Sequence, residues 1–460
     1  MNNDTIAGIA TALSESGIGI IRVSGDDAIK IVNSIFVNKK GEHTLASFSS
    51  HTIHYGFIVF DGQEIDEVMV SVMKAPNSFT KEDVVEINCH GGVFVCKSVL
   101  EAVLSSGARL CEPGEFTKRA FLNGRIDLSK AEAVMDVISS SNNSSLNNSL
   151  KHLNGNLYKK IKDLRDRLIY EIAFIESALD DPEHISLEGY PQELLKKCIE
   201  MKEETDRLKE SFKTGKILKD GIDTVILGKP NVGKSSLLNM LSGEDRAIVT
   251  DIAGTTRDTI EERVILGDVV LNLTDTAGIR ESEDLVENIG VNKAKDCAKK
   301  AELVLLIIDS TTEITDEDKE IIELVKDKKL IVLINKIDMP GIIRSEDVEK
   351  YLSGDYDIVE ISAKEGTGIR ELSQKIYNRF LSGSFKSDEE IVITNLRQAE
   401  ELKTASDSLN NVTNSINMDL PEDFYSIDLM NAYAALGRII GEDVDDDLVN
   451  EIFSKFCMGK

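Results

Sequence analysis

The stretch from Gly228 to Ser235 reads Gly-Lys-Pro-Asn-Val-Gly-Lys-Ser, and it constrains the fold more than any other part of the chain. An apolar run over 222–227 precedes it and predicts a buried strand, and residues 236–241 are typical of a helix opening. Strand, glycine loop and helix are the context that a phosphate-binding P-loop requires, with Lys234 at the β- and γ-phosphates and the Ser235 hydroxyl on Mg²⁺. Taken alone, the loop would also be compatible with a chance glycine-rich turn.

Three further short motifs follow, and each one comes directly after an apolar run that predicts a strand. They are Asp-Thr-Ala-Gly at 275–278, Asn-Lys-Ile-Asp at 335–338 and Ser-Ala-Lys at 362–364. Each motif alone would usually be an ordinary loop. Together with the P-loop, in this order and each at the end of a strand, they predict a GTP site.

The chemistry of these motifs is specific for a guanine nucleotide. Asp275 can stabilise Mg²⁺ indirectly, by binding the groups that coordinate the metal, and the Gly278 N–H can bind a γ-phosphate. Asp338 can accept hydrogen bonds from the N1–H and the 2-amino group of guanine, and adenine offers no such pair of donors. The segment 362–364 supplies a backbone N–H for the guanine O6.

Between the P-loop and the second motif, residues 251–258 read Asp-Ile-Ala-Gly-Thr-Thr-Arg-Asp. Adjacent threonines in a mobile segment are what a GTPase needs to sense the γ-phosphate through Mg²⁺, and Thr256 is the predicted metal contact. An ordinary Gly-Thr-Thr turn is the alternative. With this segment included, the predicted GTP contacts are Asn231, Val232, Gly233, Lys234, Ser235, Ser236, Thr250, Asp251, Ile252, Ala253, Gly254, Thr255, Thr256, Asp275, Thr276, Ala277, Gly278, Asn335, Lys336, Asp338, Ser362, Ala363 and Lys364.

One position departs from Ras-like enzymes. In those enzymes a glutamine follows the Asp-Thr-Ala-Gly segment and orients the attacking water, whereas this chain has the apolar Ile279. Charge neutralisation and water positioning must then come from elsewhere. Asn231 in the P-loop can help to bind a monovalent cation, which would do the electrostatic work of an arginine finger. Arg257 is the competing candidate for that catalytic role.

The composition limits the class of protein. A chain of 460 residues is long enough for about three domains, and its formal net charge of −28 at pH 7 argues against a surface broadly adapted to nucleic acid. Any RNA contact would need a local basic patch or a partner. Apolar runs such as 303–308 are far shorter than the ~20 residues that span a membrane. The chain does not start like a signal peptide and its cysteines show no zinc spacing, so we expect a soluble cytoplasmic protein.

Taken in order, the chain predicts a multidomain α/β plus α protein. Residues 1–118 alternate short strands with a few helices and predict an N-terminal α+β domain. The pattern is helical over 119–215, residues 216–383 hold the nucleotide motifs, and the helical pattern resumes over 384–460. Apolar residues at spacings of three and four predict one buried helix face in each flank. They are Leu157, Ile161, Leu164, Leu168, Ile172, Ile175 and Leu179 in the first flank and Leu396, Ala399, Leu402 and Leu409 in the second. Neither helical flank is a convincing core alone, so we expect one helical domain interrupted by an inserted P-loop, Ras-like GTPase domain. The Asn/Ser-rich stretch 139–149 is either a linker or a helix exposed on one side.

Two features outside the nucleotide motifs have two interpretations each. Arg22 and Glu86 interrupt apolar strands, which usually places a charge on the wet face of a sheet but can also serve a ligand. The chain ends Cys457-Met458-Gly459-Lys460. A frayed tail is the default for such an end, yet the apolar helix before it could dock it, and a thiol beside a lysine can have a lowered pKa.

From Asp4-Thr5-Ile6 to the terminal Cys-Met-Gly-Lys, the whole sequence resembles the MnmE (TrmE) family of bacterial tRNA-modification GTPases. The resemblance implies that Glu287 is the catalytic acid that orients the attacking water through a bridging water. From the residues alone, Glu287 would be a solvated helix residue. The resemblance also implies that K⁺ replaces an arginine finger and is held, through backbone carbonyls in the middle two cases, by Asn231, Thr250, Ile252 and Thr255.

The same resemblance gives the N-terminal domain two roles, dimerisation and the binding of 5,10-methylene- or 5-formyl-tetrahydrofolate. The residues that match the family's folate contacts are Arg22, Glu86, Arg125 and Lys460. Arg125 stands where the family can carry lysine, which keeps the charge but alters its geometry, and residues 12–17 lack the Pro- and Gly-rich loop common in the family. The Cys-x-Gly-Lys end of the family reaches toward the folate and is needed for modification, and a nucleophilic Cys457 is a hypothesis.

In function, the resemblance implies a K⁺-activated GTPase that works with an FAD-binding partner, MnmG, in a heterotetramer. The pair would add an aminomethyl or carboxymethylaminomethyl group to C5 of the wobble uridine of certain tRNAs, with tetrahydrofolate as one-carbon donor. A ribosome-assembly GTPase of the Era or Der type is the alternative, and it predicts a basic RNA-binding module where this chain has an acidic helical stretch. A folate-binding enzyme with a regulatory GTPase is a third interpretation.

Overall fold

The computed structural model of the chain describes residues 4–244, 262–274, 298–381, 391–442, 444–456 and 459. The chain divides into two compact units, Met1–Met135 with Gly437–Lys460 and Asp136–Leu436. The domain boundaries expected near residues 118, 215 and 383 stay predictions. Among the helices in the described ranges, none is long and apolar enough to cross a membrane.

Strands and helices are interspersed through both units. The described strands are β1 Ile6–Ile9, β2 Ser16–Ser24, β3 Phe36–Val37, β4 Thr52–Phe60, β5 Gln63–Met73, β6 Val84–Gly91, β7 Arg109–Leu110, β8 Ile222–Leu227, β9 Glu262–Leu266, β10 Val269–Thr274, β11 Leu303–Asp309, β12 Leu330–Asn335 and β13 Tyr356–Glu360. The described helices are α1 Ala28–Ile35, α2 Val93–Ser105, α3 Glu115–Leu122, α4 Leu128–Ser139, α5 Asn143–Leu153, α6 Asn156–Asp180, α7 Tyr190–Asp220, α8 Lys234–Glu244, α9 Asp316–Val325, α10 Ser345–Glu349, α11 Ile369–Phe380, α12 Leu396–Asn417, α13 Glu422–Ile440 and α14 Asp446–Ser454.

The first unit is built on a sheet of seven described strands in the order β3-β4-β5-β6-β2-β1-β7. Arg22 on β2 pairs with Glu86 on β6. Because side chains alternate along a strand, both residues point away from the face that carries the buried Ile21 and Ile87. Helices α1 and α2 cover that buried face. The α+β class expected for this part of the chain is confirmed, and the other face of the sheet presents Arg22 and Glu86, two of the predicted ligand residues.

The second unit contains a sheet of six described strands in the order β13-β12-β11-β8-β10-β9. Its strand pairs are parallel except for β9 with β10. Strands covered on both faces need apolar side chains throughout, and β11 and β12 are buried along their whole lengths. The predicted α/β class is therefore confirmed. The parallel arrangement brings the carboxyl ends of β8, β11, β12 and β13 to one edge of the sheet.

Apolar periodicity predicted two long helices of the second unit and misjudged their terminal turns. On α12, Leu402 and Leu409 are buried as expected, but Leu396 at the first position is 59% exposed. On α6, Leu179 is 43% exposed in the last turn. The rest of the predicted apolar face of α6 is buried and consists of Leu157, Ile161, Leu164, Leu168, Ile172 and Ile175.

The Asn/Ser-rich stretch contributes to a helix rather than a linker. Helix α5 begins after Asn142, whose side chain accepts a hydrogen bond from the Ser145 N–H and so caps the helix. The buried face of α5 is polar and consists of Ser145, Asn148, Ser149 and His152. Buried polar groups need hydrogen-bond partners, so this face must bind another part of the chain.

The partner of the α5 polar face is the segment 391–394, which returns from the second sheet to α12 and is called the return segment below. Asn148 Nδ2 donates to the Val392 carbonyl over 3.0 Å, and the Val392 N–H donates to Asn148 Oδ1 over 3.2 Å. His152 Nε2 donates to the same carbonyl over 2.9 Å. On the α7 side, the Ile393 N–H donates to Ser211 Oγ over 3.0 Å. Burial lowers the pKa of His152, which keeps the ring neutral in this role.

Candidate nucleotide site

The P-loop lies between the end of β8 at Leu227 and the start of α8 at Lys234. Three of its residues have positive φ, namely Gly228 at 149°, Asn231 at 64° and Gly233 at 106°. Asparagine tolerates this left-handed region better than most residues. At Gly228 a side chain is excluded, because a Cβ there would lie 2.5 Å from the Ile307 carbonyl oxygen.

Side chains hold the P-loop through its carbonyl groups. Lys234 Nζ donates to the carbonyls of Gly228 and Lys229 over 2.7 and 2.8 Å. Asn335 Nδ2 donates to Val232 O over 2.8 Å, and Lys336 Nζ donates to the carbonyl of Asn231 over 3.0 Å. A loop whose carbonyls are held in this way is well suited to direct N–H groups toward an anion. Burial lowers the pKa of Lys234, so an approaching phosphate would meet an incompletely solvated ammonium group.

Asn335 connects the P-loop to the predicted guanine-binding segments. Its Oδ1 accepts a hydrogen bond from the Ala363 N–H over 2.9 Å, while its Nδ2 binds Val232. Asp338 Oδ1 accepts a hydrogen bond from Ser362 Oγ over 2.8 Å, which fixes the carboxylate predicted to bind guanine. Three of the four predicted GTP motifs are therefore in contact with one another.

Lys336 bridges the P-loop to the end of β11. Its Nζ lies 2.5 Å from Asp309 Oδ2 as well as binding the Asn231 carbonyl. Burial opposes ionisation of Asp309, but its bonds to Lys336 and Thr311 outweigh burial and lower the pKa of this carboxyl. The charge pair thus stabilises the edge of the sheet on which a nucleotide would bind.

The other residues predicted to contact GTP that the structure describes lie around this loop. Ser235 and Ser236 are exposed in the first turn of α8, and Lys364 is exposed beside the buried Ala363. A hydroxyl oxygen at that helix start is a ligand of the kind Mg²⁺ prefers, so Ser235 fits the metal role. Other predicted site residues lie outside the described part of the chain, namely Thr250, Asp251, Ile252, Ala253, Gly254, Thr255, Thr256, Arg257, Asp275, Thr276, Ala277, Gly278, Glu287, Cys457 and Lys460.

Replacing Gly233 by alanine is expected to weaken nucleotide binding by at least about tenfold. A Cβ at this position would lie 2.2 Å from Asn335 Nδ2, and the φ of 106° strains any side chain. Asn335 would have to leave Val232, which would release the loop. Titration of a fluorescent GDP analogue measures the effect. Gly243→Ala is the matched control because nothing lies within 4 Å of its Cβ, and equal affinity of the two variants would contradict the prediction.

A second cluster lies in the first unit and contains three of the four predicted folate residues. Arg22 Nε donates to Glu86 Oε1 over 2.8 Å. The guanidinium groups of Arg22 and Arg125 lie 6.0 and 4.7 Å from the centre of the Phe79 ring. Arg22 is also 5.6 Å from the Phe116 ring. The cluster combines positive charge, one carboxylate and aromatic surface.

The described part of the C-terminal tail is docked in this cluster. Gly459 is buried, and its carbonyl accepts a hydrogen bond from Arg22 Nη1 over 3.2 Å. A Cβ at Gly459 would lie 2.1 Å from the Ile9 carbonyl oxygen, so only glycine can lie this close to β1. At Gly459 the tail is therefore docked rather than frayed, and the residue that follows is the predicted folate contact Lys460.

Sequence reasoning did not identify Phe79 and Phe116 as part of this cluster. Phe79 lies between Ser78 and Thr80 in a polar loop, away from any apolar run, which is a signal that could have been used. Phe116 is buried at the start of α3 and carries no such signal, because buried phenylalanines are common in any core.

A P-loop joined through Asn335 to the aspartate that is predicted to bind guanine, at the edge of a mostly parallel sheet, is typical of a P-loop GTPase. The family profile described as "GTP-binding protein TrmE N-terminus" matches residues 5–125, and the profile "MnmE helical domain" matches residues 128–457. The chain therefore belongs to the MnmE (TrmE) family of tRNA modification GTPases. It is accordingly a GTP hydrolase, of a class that binds GTP together with Mg²⁺.

Full-length relatives carry the same family name. The tRNA modification GTPase MnmE of Lachnoclostridium phytofermentans is 55% identical over 460 residues, which cover 100% of both chains. That of Acetivibrio thermocellus is 48% identical over 459 residues, 99% of each chain. Among solved structures, Aquifex aeolicus Era bound to GDP·AlF4⁻ is 31% identical over 41% of this chain and 66% of its own, with a TM-score of 0.27.

Proposed function

We propose that this GTPase is K⁺-activated and modifies tRNA together with an FAD-binding, MnmG-type partner. The two would add an aminomethyl or carboxymethylaminomethyl group to C5 of the wobble uridine, with tetrahydrofolate as the one-carbon donor. The observation that carries the proposal is 55% identity over the full length to a protein named tRNA modification GTPase MnmE. Such a role places the protein in the cytoplasm, in a heterotetramer with its partner and in contact with tRNA.

The nucleotide site supports the GTP-hydrolysing part of this proposal. Lys234 would neutralise charge on the β- and γ-phosphates, Ser235 and Thr256 would hold Mg²⁺, and Asp338 would select guanine. Glu287 would orient the attacking water in place of the glutamine that Ile279 replaces. The metal would neutralise charge at the phosphates. The residues of the chain would hold the γ-phosphate and the attacking water in the orientation that the reaction needs.

A monovalent cation would complete the charge neutralisation, held by Asn231, Thr250, Ile252 and Thr255. Asn231 supports this role because Lys336 fixes its carbonyl while the residue itself remains exposed at the tip of the loop. An exposed amide oxygen on a fixed backbone is a suitable ligand for a hard cation. Arg257 stays the competing source of positive charge.

GTP turnover is expected to be much faster in KCl than in NaCl at equal ionic strength, by about tenfold or more. Asn231→Ala should lose most of this K⁺ activation, because the cation loses a ligand. Steady-state phosphate release measures both effects. Asn239→Ala, an exposed asparagine on α8, is the matched control and should keep the activation. Turnover that is indifferent to the cation would overturn the K⁺ mechanism and make Arg257→Ala the next variant.

The cluster around Arg22 supports the folate part of the proposal. A folate has a flat ring system and a carboxylate tail, and the cluster provides Phe79, two arginines and Glu86 within reach of one another. Arginine binds carboxylates with two parallel hydrogen bonds. The docked Gly459 supports a role for the terminal Lys460 and Cys457 at the same place.

The open face of the first sheet supports the homodimer. Tyr55 on β4 pairs with Met69 on β5, and both are exposed, as is Ile53. Exposed apolar side chains grouped on one face mark an interaction surface. A second copy of the chain would cover them and lie next to Arg22 and Glu86 on the same face.

The alternative of a ribosome-assembly GTPase has less support. It requires a basic RNA-binding module after the GTPase motifs, whereas that part of the chain is covered by the helical-domain profile up to residue 457. The tRNA-modification proposal accounts for both helical flanks, for the N-terminal unit and for the Cys-x-Gly-Lys end.

A further inference from the structure

The P-loop carries a charged side chain that the nucleotide chemistry described above does not use. Lys229 is the second residue of the loop, and its Nζ lies 2.8 Å from Oδ2 of Asp318 on α9. The Lys229 side chain is 14% exposed and that of Asp318 is 3% exposed. A largely buried ion pair therefore connects the loop to a helix that lies far along the chain.

Asp318 is fixed by the start of its own helix. The same oxygen, Oδ2, accepts hydrogen bonds from the Thr315 N–H over 2.9 Å and from Thr315 Oγ1 over 2.8 Å. This arrangement is a capping box, which satisfies N–H groups that the first turn of a helix leaves without partners. The apolar face of α9 packs into the core through Ile322 and Val325. Asp318 is thus a fixed anchor for Lys229.

The main chain of Lys229 in turn positions the phosphate-binding lysine. Its carbonyl accepts a hydrogen bond from Lys234 Nζ over 2.8 Å. Fixing the Lys229 side chain restricts the rotation of this peptide group and so sets where the Lys234 ammonium lies. The contacts run in order from α9 through Asp318 and Lys229 to Lys234.

We propose that Lys229 is a positioning residue for nucleotide binding, and that its ion pair with Asp318 keeps the P-loop in its phosphate-binding shape before the nucleotide arrives. A loop that is already ordered loses less conformational entropy when it binds a ligand. GTP and GDP share the phosphates that such a loop surrounds, so the ordered loop raises the affinity for both nucleotides. Breaking the ion pair should therefore lower the nucleotide affinity and raise the KM for GTP, with a smaller effect on kcat.

The test compares nucleotide affinity in variants that break the pair from either side. Lys229→Met and Asp318→Asn should each weaken binding of a fluorescent GDP analogue by about tenfold, the effect of losing one charge-assisted hydrogen bond. The double variant should be no worse than either single one, because both remove the same interaction. Lys229→Arg keeps the pair and should restore most of the affinity.

Lys319→Met is the matched control. It breaks an ion pair of the same 2.8 Å length on the same helix, between Lys319 and Asp316, but there the side chains are 42% and 94% exposed. Exposed pairs contribute little, so its GDP affinity should equal that of the wild type. Thr315→Val loosens Asp318 without touching the P-loop, and it replaces Asp318→Asn if that variant does not fold.

Two results would overturn the proposal. If Lys229→Met lowers only the melting temperature and binds GDP like the wild type, the pair stabilises the fold and does not position the loop. If Lys229→Met weakens binding while Asp318→Asn and Thr315→Val do not, Lys229 acts on the phosphates directly.

Discussion

Asp338→Asn is expected to lower the affinity for GTP by about a hundredfold and to create affinity for xanthosine triphosphate. The carboxylate would accept two hydrogen bonds from guanine, from N1–H and from the 2-amino group. An asparagine amide can accept only one of them and presents an N–H₂ to the other. Xanthine carries a carbonyl in place of the 2-amino group, so the amide matches it.

Asp338→Asn changes the contact with the base and preserves the contact of residue 338 with its protein surroundings. Asparagine retains an oxygen for the hydrogen bond from Ser362 Oγ. Separate titrations with a fluorescent guanine nucleotide and with the matching fluorescent xanthine nucleotide measure the switch. Asp347→Asn, which affects an exposed ion pair with Lys350, is the control and should leave both affinities unchanged. Unchanged preference for GTP in Asp338→Asn would show that guanine is selected elsewhere.

Asn148→Asp is expected to reduce the free energy of unfolding by about 3 kcal/mol near neutral pH. Asn148 is 3% exposed and both donates to and accepts from the main chain of Val392. Aspartate has the same shape, but it turns the donor into a second acceptor that faces the Val392 carbonyl. A buried charge is thereby added and a buried carbonyl loses a partner.

Denaturant titration with far-UV circular dichroism measures this loss. Asn147→Asp is the control, because Asn147 is the exposed neighbour on the same helix and should change stability by less than about 0.5 kcal/mol. The loss should shrink as the pH falls below the pKa of the new carboxyl, which burial raises. Protonation supplies an O–H donor again, so a loss that does not depend on pH would contradict this explanation.

The parts of the site that could be predicted from sequence are those whose geometry is local. The P-loop needs Gly228 and Gly233 in a short turn after a strand, and all of these residues are close together in the sequence. The motifs at 335–338 and 362–364 follow strands, and parallel strands bring their ends together whatever else the chain does. Order along the chain was therefore enough to predict that these groups meet.

What could not be predicted depends on contacts between distant residues or on polar burial. Lys229 and Asp318 are each ordinary charged residues in sequence, and only the fold brings them together. Helix α5 buries Asn148 and His152, so its buried face has no apolar period to detect. Leu179 and Leu396 fit the apolar period but lie in terminal turns, where the core ends.

The close contact between α7 and the return segment has a topological consequence. A Cβ at Gly215 would lie 1.9 Å from the Ile393 carbonyl oxygen, so the chain leaves the helices and comes back to them at almost the same point. The nucleotide-binding fold between these residues is thus joined to the helices by two chain connections that lie side by side. Helix α7 has 31 residues and a length of ~46 Å, and it packs along α12. A displacement at this junction would therefore be transmitted along a long, stiff pair of helices.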